Sequence, residues 1–440
     1  MTALTHPRFR LSPVLGQNLT PSPTLYINER VQEMWAAGKH VLHLGFGESR
    51  FPVHPKLARA LADNAHRKSY LPGPGIPELR AAVARFYGRR LGIHVEPEQV
   101  ITAPGSKALL YAFQMAIDGD LILPVPTWVS YAPQARLLHK EIQWVPANPA
   151  TGQDLTIENL WAAVQRSRHD QHTLILTSPN NPSSRMTPQE LLPHIAAFCR
   201  EANVLVLSDE IYGFVPHNHV RHHSIVAHYP EGTVVLGGLS KHLSLGGWRL
   251  GVAVVPPGEA GQTLLRGVNK IGSEIWSCAT APVEYAAVVA YSGDPEIEAY
   301  IAECAHLHSV RTQYLWRALH ELGIPCARPA GGFYLFPNFD RWREPLAARG
   351  VHTSEELARY LLDSWHIATL PGSVFGTAPE ELSLRLSTSY VDMETDEKAR
   401  RILELHRSGV DDGALMRDHH PVMNEAIRRL QQFLEELQSP

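Results

Sequence analysis

The chain is 440 residues long, too long for one small core, so two domains sharing an interface are expected. With 44% hydrophobic and 19% charged residues its composition is that of a globular protein, and a net charge of −4 lacks the basic surplus of a nucleic-acid binder. Cys199, Cys278, Cys304 and Cys326 show no C-x-x-C spacing, which reads as reduced thiols of a cytoplasmic protein without disulfide frame or zinc site.

Residues 1–28, with Pro13, Pro21 and Pro23, read as an N-terminal arm. "MTALTHPRFRLSPV" holds no apolar leader, and no apolar run approaches a membrane span. Residues 29–60 and 295–440 are expected to form a small domain, and residues 61–294 a large one. From about 95 to 255, apolar runs alternate with helical patterns. The runs are "QVITA", "LILPV", "TLILTS", "NVLVLSD", "TVVLGG" and "LGVAVV". Two helical patterns between them cover 109–117 and 191–201. Short Val-, Ile- and Leu-rich runs separated by helices predict an α/β fold with a mainly parallel sheet covered on both faces. Ligands of such a sheet sit at the carboxyl ends of its strands. Beyond 294, amphipathic patterns predict helices over 297–322 and 421–437, with short strands at "GGFYLF" and "LRLST". The polar stretch 407–420, "RSGVDDGALMRDHH", reads as loop.

The candidate site residues each follow a predicted strand. In "ITAPGSKALL", Gly105 and Ser106 open a helix whose backbone amides suit a phosphate, although Ser106 equally suits an ordinary cap. Trp128 in "PVPTWVSY" can stack on a planar ring or fill the core. Asn180, Asn181 and Pro182 end the next strand, where an amide can bind a ring oxygen or simply shape a turn. Asp209 and Tyr212 end "VLVLSDEIYGF". A carboxylate there can hold a protonated ring nitrogen, or cap a helix. "GGLSKHLSLGGWRLG" sets Lys241 among glycines and serines, with Arg249 eight positions on. A lysine so placed can anchor an aldehyde cofactor, and an arginine can hold its phosphate. No G-x-G-x-x-G follows a strand and no Walker motif occurs, so nucleotides are not expected. The cluster "HNHVRHH", His217 to His223, has metal-ligand spacing but falls where a surface loop is expected, so no metal is assigned to it.

In this order the motifs resemble those of the class I/II aminotransferases, the fold type I pyridoxal-phosphate (PLP) enzymes. The match runs from "VLHLGFGESRFP" through "YLPGPGIPELR", "APGSKAL", "PTWVSY", "PNNP", "SDEIY", "SKHLSLGGWRLG", "GGFYLF" and "PGSVFG" to "LRLS". The resemblance implies that Lys241 is the Schiff-base lysine and proton carrier, and that Asp209 pairs with the pyridine nitrogen. It places Asn181 and Tyr212 on the ring oxygen and Trp128 on the ring face. Gly105, Ser106, the backbone of Lys107 and Arg249 would hold the phosphate, joined by Tyr70 from the partner subunit of a homodimer. Arg385 would bind the substrate α-carboxylate, with Asn181 and the Gly47 backbone beside it.

The chain departs from the family pattern at Gly238, where many relatives carry serine, so one phosphate contact is either lost or taken over by Ser240. It also departs at Ser49 and Arg50, where many relatives read Pro-Asp; Arg50 reads there as a solvated charge at the rim of the site rather than as a reader of an acidic substrate side chain. The implied activity is transamination between an L-amino acid and a 2-oxo acid. A carbon–sulfur lyase, decarboxylase or oxidase on the same cofactor, or a non-catalytic PLP-binding protein, remains open at this stage. An insertion near 401–423 has no reading.

Overall fold

The computed structural model describes residues 22–146, 155–217 and 220–438. Its strands, in chain order, are β1 (Leu42–His43), β2 (Val100–Ala103), β3 (Asp120–Pro124), β4 (Ile142–Val145), β5 (His172–Thr177), β6 (Val204–Asp209), β7 (Thr233–Gly238), β8 (Gly251–Val254), β9 (Tyr334–Leu335), β10 (Ile367–Ala368), β11 (Leu370–Pro371) and β12 (Leu384–Ser387). Seven of them form one sheet in the order β2-β8-β7-β6-β5-β3-β4. All neighbours are parallel except β8, which runs antiparallel to β2 and β7. Each of the six apolar runs is one of these strands. The seventh, β4, escaped the pattern because Gln143 and Trp144 are only half buried.

Strands β5 and β7 are buried throughout, as two-sided burial in a parallel sheet requires. On one face, Leu109 and Phe113 of the helix Ser106–Ala116 pack against Leu121, Leu207 and Val234. Elsewhere Leu160, Ile195 and Phe198, from the helices Ile157–Arg166 and Leu192–Glu201, cover Ile122, Leu174 and Val206. Burying one such side chain stabilises the fold by about 1.5–3 kcal/mol. The register aligns Thr177 with Asp209 and Asp209 with Leu236. The carboxyl ends of the three central strands therefore open on one edge.

A second core surrounds the sheet β11-β12-β9 and the parallel pair β1–β10. Leu42 pairs with Ile367, so early chain and late chain meet there. The 27-residue helix Pro295–Glu321 starts at Pro295 behind Asp294, whose carboxylate accepts from the Glu296 and Ile297 amides. It gives Ile297, Ile301 and Leu307 to the core beside the large sheet, and Leu315 and Leu319 to the second core.

Two expectations change. The helix Pro23–Ala36 begins inside the segment 1–28 read as an arm, because Ile27, Val31 and Met34 repeat on one buried face; residues 1–21 lie outside the described residues. The stretch 407–420 is not all loop. Asp411 caps a helix Asp412–His419 by accepting from the Ala414 amide, and Leu415 and Met416 are buried. Charged neighbours concealed those two apolar anchors in the sequence.

Candidate active site

A cleft of about 530 Å³ opens at the carboxyl ends of the central strands, between the large sheet and β12. Lys241, three residues past β7, reaches it from the loop that leads to β8. Its Nζ donates to the Gly47 carbonyl at 2.9 Å and lies 5.6 Å from the centre of the Tyr212 ring. Gly47 must lack a side chain, since a Cβ there would run into the Tyr334 hydroxyl. Ser49, two residues on, pins this segment: its Oγ lies 2.6 Å from Ser244 Oγ and 2.9 Å from His308 Nε2. Burial, then the Arg311 charge, holds His308 well below the usual imidazole range, so it serves this chain of hydrogen bonds as a neutral ring.

Asp209 ends β6 with its carboxylate buried. Oδ2 accepts from the Tyr131 hydroxyl at 2.6 Å, and Oδ1 from the Ile211 amide at 3.2 Å. Burial pushes its pKa above the usual carboxylate value despite these bonds. Among the described residues it makes no ion pair. A buried carboxylate in this state is ready for a cationic ring nitrogen.

At the helix start, Gly105 has φ +93°, and a Cβ there would meet the Arg249 guanidinium. The backbone thus approaches Arg249 closely, with the Ser106–Ala116 helix opening beside it. Free amides, a helix dipole and a guanidinium converge, the donor set for a phosphate. Ser240 lines the same cleft. At Gly238 an added Cβ would sit 2.6 Å from the Leu250 carbonyl, so the tight β7–β8 pairing has no room for the side chain many relatives carry there.

Arg385, on β12, is fully buried. Nη1 donates to Asn181 Oδ1 at 3.4 Å, Nη2 to the Gly45 carbonyl at 2.5 Å, and Nε has no partner. The guanidinium stacks 4.7 Å from the Tyr334 ring centre. Tyr334 in turn shares a 2.7 Å hydrogen bond with the Tyr212 hydroxyl. Trp128 stands edge-on to Tyr131, with ring centres 5.2 Å apart, and also lines the cleft.

Lys241, Asp209, Tyr212, Ser106, Trp128, Asn181, Ser240, Arg249, Gly47 and Arg385 thus share one cleft. Tyr70 does not join them: it is 88% exposed on this chain. Arg50 is engaged elsewhere, 3.1 Å from Glu48 and 3.8 Å from Asp396. His217 and His222 of the histidine cluster point into separate networks, the first donating to the Gly332 carbonyl and the second bound to Glu210; Asn218 and His219 lie outside the described residues.

Sequence reasoning missed three residues. Tyr131 meets Asp209 from 78 positions away, and Tyr334 comes from a strand of the other core. For Lys107 the sequence implies a role of the backbone alone. Its ammonium enters the cleft 4.9 Å from the Trp128 ring centre, and desolvation, then Arg249 and Lys241, lower its pKa. The one available signal was its position in the first turn of a helix pointing at the strand ends.

The family described as aminotransferase class I and II matches residues 39–403. The chain belongs to the class I and II aminotransferases. This aminotransferase is 34% identical over 397 residues to the aspartate aminotransferase of Geobacillus stearothermophilus, covering 88% of this chain and 97% of that one. It is 32% identical over 398 residues to that of Bacillus subtilis, covering 88% and 98%. Among solved structures it is similar to the Thermus thermophilus aspartate aminotransferase with maleate, at TM-score 0.79 and 25% identity over 96% of this chain and all of that one. It also resembles the aromatic aminotransferase of Pyrococcus horikoshii, at TM-score 0.75 and 26% identity over 93% and 99%. The fold is type I, and the enzyme is a PLP-dependent aminotransferase acting between amino acids and 2-oxo acids. The cleft fits the cofactor: the amides of Ser106 and Lys107 and the Arg249 guanidinium suit its phosphate, and Asp209, without an ion pair, suits its ring nitrogen.

Proposed function

We propose that this aminotransferase takes a dicarboxylic amino acid, aspartate in the first place, as donor and a dicarboxylic 2-oxo acid as acceptor. The observation that carries the proposal is that, besides Lys241 and Arg249, which are assigned to the cofactor, two further cations line the cleft without a carboxylate partner among the described residues: Arg385 and Lys107. A buried guanidinium fork takes the α-carboxylate with two parallel hydrogen bonds. A second, separate cation suits a second carboxylate on the side chain. The names of the Geobacillus and Bacillus relatives agree with this reading.

In the proposed assignment Lys241 is the covalent anchor of the cofactor and moves the proton at the substrate α carbon. Bound PLP supplies an electron sink for the charge that develops there. Asp209, held by Tyr131, keeps the ring nitrogen protonated. Tyr212 and Asn181 hold the ring oxygen, and Trp128 covers the ring face. Gly105, Ser106, the Lys107 backbone, Ser240 and Arg249 hold the phosphate. Gly47 and Asn181 flank the carboxylate on Arg385.

Tyr70 is assigned to the neighbouring subunit's phosphate, which makes the working unit a homodimer with shared sites. The exposure of Tyr70, Met115 and Ile275 on the single chain supports a covered surface. No described helix is long and apolar enough to cross a membrane, and a cytoplasmic location is proposed with the four free cysteines as its support. The small domain is proposed as residues 29–60 and 295–440 and the large one as 61–294, the helix Pro295–Glu321 serving both cores.

The test is a kcat/KM series over the common amino acids with 2-oxoglutarate as acceptor. Aspartate and glutamate should lead. Preference for aromatic or aliphatic donors overturns the dicarboxylic assignment.

A further inference from the structure

The C-terminal stretch that had no reading in the sequence carries a second constellation, away from the cleft. His306 projects from the helix Pro295–Glu321, His406 from the last turn of the helix Asp396–Arg407, and Asp412 from the first residue of the helix Asp412–His419. One ligand atom from each lies within 4.8 Å of the others. His306 Nε2 is 3.1 Å from Asp412 Oδ1, and the two imidazole centres are 5.2 Å apart.

We propose that His306, His406 and Asp412 bind a divalent transition-metal ion of the zinc type, which clamps the helices Asp396–Arg407 and Asp412–His419 to the helix Pro295–Glu321. Two imidazoles and one carboxylate are the donors such ions prefer, whereas magnesium and calcium take oxygen ligands. Bond lengths near 2.0–2.2 Å place neighbouring ligand atoms about 3.3 Å apart in a tetrahedral site. The His306–Asp412 pair already has that spacing. Closing the remaining gap needs only side-chain rotation of groups that are partly exposed.

Local structure supports the site. Gly409, at φ +86°, reverses the chain between the two short helices, so His406 and Asp412 face each other across the turn. That left-handed conformation is one few other residues adopt. His406 sits at the carboxyl end of its helix, where the dipole favours a cation. The neighbouring Arg407 is tied to Glu303 by two bonds of 2.9 and 2.7 Å and does not compete for Asp412. His306 and Asp412 line an open cavity of about 1170 Å³, which gives an ion access and leaves water for the remaining coordination positions.

The experiment uses the full-length, PLP-loaded enzyme, treated with a chelator and gel-filtered. Cobalt(II) is titrated in and its visible d–d absorption followed; zinc(II) is titrated by calorimetry, and thermal unfolding is recorded with and without zinc. The expected result is one equivalent of metal per chain and a higher unfolding temperature with zinc. His406→Ala and Asp412→Asn should each weaken binding by roughly 10–100-fold or more and abolish the thermal shift. Asp411, not Asp412, caps the helix, so Asp412→Asn leaves the fold intact, and an unchanged cofactor spectrum checks this in both variants. No stoichiometric binding by the wild type, or equal binding by the wild type and Asp412→Asn, overturns the proposal and leaves a plain surface histidine–aspartate pair.

Discussion

Arg385 donates to Asn181 at 3.4 Å while its own Nε goes without a partner, in a pocket where the guanidinium is fully buried. A buried cation with spare donors and no carboxylate is under-satisfied. Replacing it with alanine should lower kcat/KM for amino acids by roughly 10²-fold to several thousand-fold, from a typical cost of about 3–5 kcal/mol for truncating such a pair. Amines lacking the carboxylate should lose far less, and the cofactor spectrum should hardly change. Equal losses for an amino acid and its decarboxylated amine would remove Arg385 from the carboxylate site.

Lys107 carries the side-chain part of the specificity argument. Lys107→Met keeps the stem that runs beside Trp128 and removes the charge. The ratio of kcat/KM for aspartate to that for alanine should fall about tenfold or more, since loss of one charged hydrogen bond costs about 1.5–3 kcal/mol. An unchanged ratio with lowered cofactor affinity would place the ammonium on the phosphate instead.

Asp209 gives a pH prediction. Burial raises its folded pKa, so between the ordinary carboxylate value near 3.9 and that raised value the folded apo-protein holds a proton that the unfolded chain has released. Stability from this group is complete below the unfolded pKa and is lost as pH rises through the folded one. At pH 8 the apo form of Asp209→Asn should therefore unfold at a higher temperature than wild-type apo-protein, and the gap should close toward pH 4. With PLP bound the order should reverse, because the wild-type carboxylate then has its cation. Thermal scans of both forms across pH decide it. In turnover, Asp209→Ala should retain the cofactor yet show slowed half-reactions.

Lys241→Ala should lose nearly all turnover, because the proposed assignment makes this lysine both anchor and proton carrier. Borohydride treatment followed by peptide mapping reads it directly. Label on another lysine of the variant would displace Lys241 from the assignment.

Tyr70 and Lys241 test the proposed sharing of sites between subunits. Tyr70 stands 88% exposed, outside its own chain's cleft. Mixing the inactive Tyr70→Ala and Lys241→Ala proteins, unfolding and refolding them together, should restore up to about a quarter of wild-type activity. Random pairing makes half the dimers hybrid, and each hybrid has one intact site of two. No recovery, or full activity from a monomer, counts against it.

Much of this was legible in the sequence because a parallel sheet writes itself locally. Each apolar run of four to six residues is a strand, and Ser106, Asp209 and Lys241 follow such runs, so their common edge could be read from order alone. The chain also determined its own departures: glycine at 238 and serine at 49 were visible as differences before their reasons were. Those reasons lie in contacts between distant segments. Tyr131 finds Asp209, Ser49 finds Ser244 and His308, and Arg385 finds Asn181, each across 78 to 259 positions. Periodicity reports which face of an element is buried, not which element buries it. The tertiary structure alone decided that Lys107 turns its ammonium into the cleft, that Arg50 is spent on Glu48 and Asp396, and that a stretch read as loop folds into a helix carrying Asp412 to His306. The physical reason is the same in each case: a polar side chain takes its role from the partners that packing brings within hydrogen-bond reach, and those partners are not its neighbours in the chain.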